Sequence, residues 1–412
     1  MPGMDLALLR RLTTGEGWGL LQSLPPYDES QALALQDRLR GAGFDPDLVA
    51  AALNQSRLRA RAVDKFGEFA RGMVFTSDGL EQATRFTVAA RHAQRFRSAG
   101  VATVHDLGCG IGADAMAMAG LDLRVRAIDA DEVTAAIAAV NLRHWPESDA
   151  RTGRVEDFTP PAGEGARDVG AWLDPARRTP GVADVRGRTR RVFDLAAISP
   201  SWQEVQDIAR QLPATGAKLA PAFPHGAIPA GAEAQWTSLD GEVLECAVWF
   251  GPLVQTAGRT AAVLRDRGSV LVTEEGADTD HGRVNSLGEI GSWLYEPDRA
   301  VIRAGLVGAV TAAVAGHELD DGVGYVSSDT ALDVPYARRF VVVEAMPFNV
   351  KALRGWLRDH GFDRLTIKKR GVSVDPDLLR RQLRLPAKGH TEATVVLTRV
   401  RSNQVALVVR PA

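Results

Sequence analysis

The stretch VHDLGCGIGADAMAMAG, residues 104–120, decides the fold. Val101 to Leu107 reads as a buried strand, Gly108, Gly110 and Gly112 as a tight bend, and the alanine-rich run after them as a helix. Strand, glycine loop and helix together open an α/β ligand site. A dinucleotide loop carries G-x-G-x-x-G and holds a pyrophosphate on its amides. Here the pattern is the tighter G-x-G-x-G, preceded by Asp106. A carboxylate in that place repels a pyrophosphate and suits an ammonium, so the ligand should carry an ammonium and no phosphate.

Working outward, VATVHDL (101–107), LRVRAID (123–129), GRVEDF (153–158) and DVGAWLD (168–174) read as four successive strands separated by helices. That alternation predicts an α/β fold with a doubly wound, Rossmann-like parallel sheet and right-handed crossovers. RRVFDLAAISPSW (190–202), TGAKLAP (215–221), AQWTSLD (234–240) and EVLECAVWF (242–250) supply the remaining strands of that sheet. Upstream, apolar residues recur at helical spacing over 31–44, 47–70 and 80–96. TEEGADTDHGRVNSLGEIG (273–291) has the polar, Gly/Asp-rich composition of a long exposed loop or insertion. From 337 the order is strand, helix, strand, helix and a terminal hairpin through the turn RSNQ. The expected organisation is an N-terminal helical region (1–98), the α/β core (99–265), an insertion or linker (266–336) and a small α/β domain (337–412).

At 412 residues the chain is long enough for two or three cores. A net charge of −2 argues against a uniformly basic nucleic-acid binder and leaves a local patch open. Arginine outnumbers lysine 43 to 6, which we attribute to codon usage rather than to phosphate binding. Cys109 and Cys246 are the only cysteines, so there is neither a disulfide framework nor a thiolate cluster for zinc, and no metal is expected. The start MPGMDLALLRRL lacks a secretory core and no run approaches the ~20 apolar residues of a spanning helix. The expectation is a cytoplasmic protein without a membrane partner.

Acids recur at the strand ends. Asp129, followed by Ala130, lies seventeen positions beyond Gly112 and ends the second strand, where an acid grips a ribose diol. Glu156 and Asp157 follow the third strand, where a carboxylate can accept from an adenine amino group. Asp157 as a helix cap and Cys109 as a small core filler are the competing structural readings.

DLGCGIGAD, AIDAD, VEDF and LDPAR together resemble the nucleotide-binding, ribose, adenine and catalytic motifs of class I S-adenosylmethionine-dependent methyltransferases. The resemblance implies S-adenosylmethionine as cofactor, a ligand with an ammonium and no phosphate. FTSDGLEQATRFTVAARHA (75–93) resembles the helical segment ahead of the first strand in cap trimethylguanosine synthases and related RNA methyltransferases, which implies Gln82 and Thr84 as cofactor contacts. A plain helix start capped by Thr76 or Asp78 is the alternative. The chain from Ala337, with LYEPDRAVIRAG (294–305) and IKKRG (367–371), resembles a bacterial family bearing a THUMP-like domain after the methyltransferase domain. Parent THUMP domains bind RNA, so the resemblance implies an RNA partner, tRNA or rRNA. It covers most of the chain and is thin over the first ~60 residues and over 273–291.

Methyl transfer is an in-line displacement, so the protein aligns acceptor and methyl and keeps water away. Enzymes that methylate base amino groups show Asp/Asn-Pro-Pro and an aromatic after the fourth strand. Here the residues are Asp174, Pro175, Ala176, Arg177 and Arg178, lacking the second proline and the aromatic. Asp174 and Pro175 remain the catalytic candidates. Asp174 can accept an amine hydrogen or take a proton, while Arg177 and Arg178 either clamp an anion or form structural ion pairs. Covalent chemistry at uracil C5 needs a nucleophilic cysteine, and neither cysteine is placed for it. Trp202, in ISPSW, either stacks a base or packs in a core or lid; Lys218 either contacts substrate or lies exposed.

Between Arg364 and Lys388 eight basic residues face two acids. Lys368, Lys369 and Arg370 are candidate RNA contacts, against the alternative of a solvated face.

Overall fold

All five residues of Val169–Leu173 are buried, and VGAWL offers no polar side chain to a wet face, as a central strand requires. The computed structural model describes residues 4–177, 195, 198–266, 268–277, 282–385 and 391–412. They form two compact units, Met1–Leu219 with Val248–Gln255 and Ala220–Ala247 with Thr256–Ala412.

In the first unit, helices α1 (Leu6–Thr13), α2 (Gly15–Ser23), α3 (Ala32–Gly41), α4 (Pro46–Phe66), α5 (Ser77–Gln82) and α6 (Phe86–Ser98) precede the sheet. There follow β1 (Thr103–Leu107), α7 (Ala113–Ala119), β2 (Arg124–Asp129), α8 (Glu132–Asn141), β3 (Asp149–Thr152), β4 (Val169–Leu173), β5 (Ala176–Arg177), β6 (Ile198–Ser199), α9 (Trp202–Gln211) and β7 (Thr215–Leu219). Five strands run parallel in the order β3-β2-β1-β4-β7. The order reverses between β1 and β4, so the ligand crevice lies beyond their carboxyl ends, at Gly108 and Asp174.

Three local expectations are corrected. The third strand is Asp149–Thr152, while Val155–Asp157 is a 3-10 turn. The ladder from β2 ends where Gly153 donates to the Asp129 carbonyl, and Arg154, Glu156 and Asp157 then face solvent. Ile198–Ser199 pairs with Ala176–Arg177 in a separate two-stranded sheet instead of joining the large one, cut short by Pro200; residues 190–194, 196 and 197 of that predicted strand lie outside the described residues. The helical pattern over 80–96 is interrupted at 83–85, where Thr84 turns its hydroxyl inward to Asp114.

The sheet accepts α6 and a stack of indoles because two strand residues lack side chains. A Cβ on Gly170 would come within 2.8 Å of the Phe96 ring, and one on Gly216 within 2.6 Å of Trp249. Trp172 and Trp249 stack with centroids 5.1 Å apart.

The second unit contains β8 (Glu233–Leu239), most of β9 (Glu242–Trp249), β10 (Gly258–Arg265), β11 (Gly268–Thr273), β12 (Trp293–Pro297), α10 (Arg299–Arg303), α11 (Gly308–Val314), β13 (His317–Glu318) and β14 (Val326–Ser328). It ends with β15 (Ala337–Pro347), α12 (Val350–Asp359), β16 (Arg364–Lys369), α13 (Pro376–Leu383), β17 (Glu392–Val400) and β18 (Asn403–Pro411). A seven-stranded sheet runs β13-β14-β12-β15-β18-β17-β16, so strands from 293–328 share one sheet with those of 337–411. Ala393, Val395 and Leu397 of β17 pack in a buried cluster with Leu353, Leu357, Leu379 and Leu383 of α12 and α13. Val396 and Val400, on the alternate face, pack with Tyr325 and Phe340.

Candidate active site

The glycine loop binds itself to the second strand. Gly108 and Cys109 both donate to the Ile128 carbonyl at 2.9 Å. Gly108 has φ +91°, and a Cβ there would stand 3.2 Å from the Asp174 carbonyl oxygen, so only glycine lets the loop lie against the end of β4. Asp129 Oδ2 accepts from Gly110 N and Oδ1 from Asp131 N, both at 2.9 Å. A carboxylate has about four lone-pair directions, so roughly two remain for a ligand hydroxyl pair. Gly112 caps α7 with its own φ at +84°.

Residues 74–82 are laid over the loop by two buried amides. Gln55 exchanges two hydrogen bonds with the backbone of Phe75, while Asn141 exchanges two with Val74 and donates a third to the Ile111 carbonyl at 2.8 Å. A Cβ on Gly79 would stand 2.4 Å from Ile111 Cγ2, which places the start of α5 on the loop. Thr76 caps α5 by accepting from Gly79 N.

Asp106 is 1% exposed, and its Oδ2 meets no donor among the described residues. Burial, then the charges of Asp114 and Asp174, push its carboxyl well above the usual range, with Lys218 opposing. Burial, Asp106 and Asp129 likewise push up the Cys109 thiol, which removes it as a thiolate nucleophile.

A chain of polar groups ends at Asp174. Lys218 forms an ion pair with Asp174 and donates to Thr84 Oγ1 at 3.0 Å. Thr84 donates to Asp114 Oδ2, and Asp114 Oδ1 stands 2.7 Å from His92 Nδ1. Burial pushes the Asp114 carboxyl up, but His92, Lys218 and Thr84 together carry it below its ordinary value. The His92 ring lies 4.4 Å from that of Trp172.

Thr84, Gly108, Gly110, Asp129, Asp174 and Lys218 are therefore joined by contacts around the ends of β1, β2, β4 and β7, with Asp106 at the end of β1 and Gly112 in the same glycine loop. Pro175 follows Asp174, half-buried. Other sequence candidates sit differently. Gln82 is exposed at the end of α5, and Ala130 and Asp157 are also exposed. Glu156 accepts from Ser199 Oγ at 3.1 Å and pairs with Arg154. Trp202 is 7% exposed and packs on Phe250, the core alternative rather than an open stacking face. Lys218 is not an exposed surface lysine, because its ammonium is held internally. The Arg177 backbone pairs with Ile198, and Arg178 lies outside the described residues. In the second unit Lys368 of β16 and Arg370, just past its end, both bind Glu296 of β12, at 2.6 and 3.1 Å; Lys369 donates to the Val374 carbonyl. Sequence reading missed His92, Asp114 and Asn141. Their only signal is a polar residue on an otherwise apolar helix face.

Proteins of known sequence show the family. The chain is 32% identical over 367 residues to an uncharacterized S-adenosylmethionine-dependent methyltransferase of Mycobacterium tuberculosis, represented by strains CDC 1551 / Oshkosh and H37Rv, with 86% of this chain and 95% of the relative covered. The chain belongs to the S-adenosylmethionine-dependent methyltransferases. Its cofactor is S-adenosylmethionine, and the unpartnered Asp106 carboxyl is an observation that fits this ammonium-bearing group. A THUMP domain-like family model matches residues 337–411 of this methyltransferase, and a domain of unknown function matches 5–62. A crystal structure from Porphyromonas gingivalis W83, also designated a methyltransferase, shares the fold at a TM-score of 0.69 with 21% identity, covering 94% of this chain and all of that one. No helix among the described residues is long and apolar enough to cross a membrane.

Proposed function

We propose that this methyltransferase acts on RNA and methylates a base nitrogen, in tRNA or rRNA. S-adenosylmethionine supplies an electrophilic methyl on a sulfonium. Asp106 would face its ammonium and Asp129 its ribose diol, with the glycine loop alongside; Asp157 is the acid left for the adenine amino group, because Glu156 already serves Ser199. Asp174 accepts a hydrogen of the acceptor nitrogen, orients its lone pair and takes the proton released on transfer, while Pro175 restricts the backbone behind it. The observation that carries this reading is the Asp174 carboxylate, held by Lys218 where the strand order reverses.

The RNA acceptor is supported by the THUMP-like match, since parent THUMP domains bind RNA, and by the basic balance of 364–388. A small-molecule or protein acceptor is favoured by one observation: Glu296 engages two of the three cations in KKR. The deciding experiment is methyl transfer from labelled S-adenosylmethionine to total RNA from a strain lacking the protein, beside Asp174→Ala and with protein extract as competing acceptor. Label in RNA, lost in the variant, is the expected result. Label in protein or small molecules overturns the RNA acceptor.

A further inference from the structure

We infer that Lys218 is the positioning residue for Asp174, and that Thr84, Asp114 and His92 exist to hold its ammonium in place. The inference rests on the reading of Asp174 as the group that meets the acceptor. Parallel pairing of β4 with β7 sets Leu173 opposite Ala217, so Asp174 and Lys218 come next on adjacent strands at the same level. The Lys218 side chain is only 15% exposed, and an ammonium so placed must be paired.

Each partner has one polarity available. Thr84 has a single hydroxyl proton, which goes to Asp114 Oδ2 at 2.7 Å, so towards Lys218 it can only accept. The other Asp114 oxygen is taken by His92, buried against Trp172. The ammonium therefore cannot swing away without stranding the buried Thr84 oxygen, and the half-exposed Asp174 carboxylate inherits a fixed direction from it. Such alignment acts on the reacting geometry rather than on cofactor affinity.

The test uses full-length protein, labelled S-adenosylmethionine and total RNA from a strain lacking the protein. Lys218→Met should lower kcat by about thirtyfold or more while KM for S-adenosylmethionine stays within about twofold, and Lys218→Arg should restore most of the rate. The Lys218→Met/Asp174→Asn double variant should be no slower than Asp174→Asn alone. Independently of turnover, acetylation of Lys218 by an N-hydroxysuccinimide ester, followed by mass spectrometry, should be faster in Asp174→Asn than in the parent protein. If Asp174→Asn loses turnover while Lys218→Met keeps its kcat, the positioning claim falls and Asp174 stands. If Asp174→Asn turns over normally, both fall. If total RNA takes no label, the RNA acceptor falls and unchanged acetylation overturns the positioning claim as well. Should Lys218→Met fold poorly, Thr84→Val decides, because it keeps every charge: a smaller loss of kcat at unchanged KM supports the inference, and an unchanged kcat overturns it.

Discussion

His92 Nδ1 stands 2.7 Å from Asp114 Oδ1, with both side chains less than a tenth exposed. The two residues come from different helices, and between them they close the inner end of the polar chain that reaches Asp174. Taking Asp114 out of water opposes its ionisation, yet His92, Lys218 and Thr84 more than offset this.

Removing the partner exposes that balance. His92→Phe keeps a ring against Trp172 and leaves Asp114 short of one donor, which should destabilise the first unit by about 2–4 kcal/mol in urea denaturation. The pH dependence follows from the depressed Asp114 carboxyl. Its contribution is complete above the ordinary aspartate value near pH 4 and is lost as pH falls through the lower folded value. The parent protein should therefore lose more stability than His92→Phe on acidification below pH ~4; parallel acid limbs would refute the pairing.

Asp106 is the opposite case. Its carboxyl is pushed up, so the fold favours the protonated form and this residue's contribution declines as pH rises above the ordinary aspartate value. Asp106→Asn should raise the melting temperature at neutral pH while weakening S-adenosylmethionine binding by about tenfold or more, since hydrogen bonds to charged groups are worth about 1.5–3 kcal/mol. Calorimetry in two buffers should also show proton release when the parent protein binds cofactor. Undiminished affinity in the variant would remove Asp106 from the cofactor site.

Asp129 combines two duties, because its oxygens receive Gly110 N and Asp131 N. From its sequence position alone, Asp129→Ala should weaken cofactor binding with melting nearly unchanged. The two backbone bonds revise that expectation: the variant should also lose about 1–2 kcal/mol of stability, whereas Asp129→Asn should keep part of both functions. Differential scanning calorimetry and cofactor titration on the same samples separate the two effects. Retained affinity in the alanine variant would sink the ribose assignment.

The parts of the site legible in the sequence are those encoded within a few residues. Strand, loop and helix over 101–120 announce themselves through apolar runs and glycine spacing, and Asp129 through its place at the end of a strand. Pairings set by the fold were not legible. Thr84 and His92 meet Asp114 across 30 and 22 positions, and Thr84 meets Lys218 across 134. No periodicity records such partners. GRVEDF misled because alternation over so few residues does not distinguish a strand from the turn that follows one. IKKRG is ambiguous for a related reason: a cation run looks alike whether it faces solvent or an acid more than 70 residues away.

That distinction is open to measurement. Glu296, only 16% exposed in its side chain, accepts from both Lys368 and Arg370, while Arg381 and Arg384 are exposed at the end of α13 and meet no such partner among the described residues. Each cation that neutralises a phosphate contributes about one unit to the salt slope of RNA affinity. Arg381→Ala should therefore lower the slope for bulk tRNA by about one, measured by fluorescence anisotropy across a salt series, with little change in melting. Lys368→Met should leave the slope alone and instead lower the stability of the second unit by about 1–3 kcal/mol, because it takes away half of a partly buried carboxylate's pairing. If Lys368→Met lowers the slope as much as Arg381→Ala does, the Glu296 pair opens on binding and the strand cations reach the RNA after all.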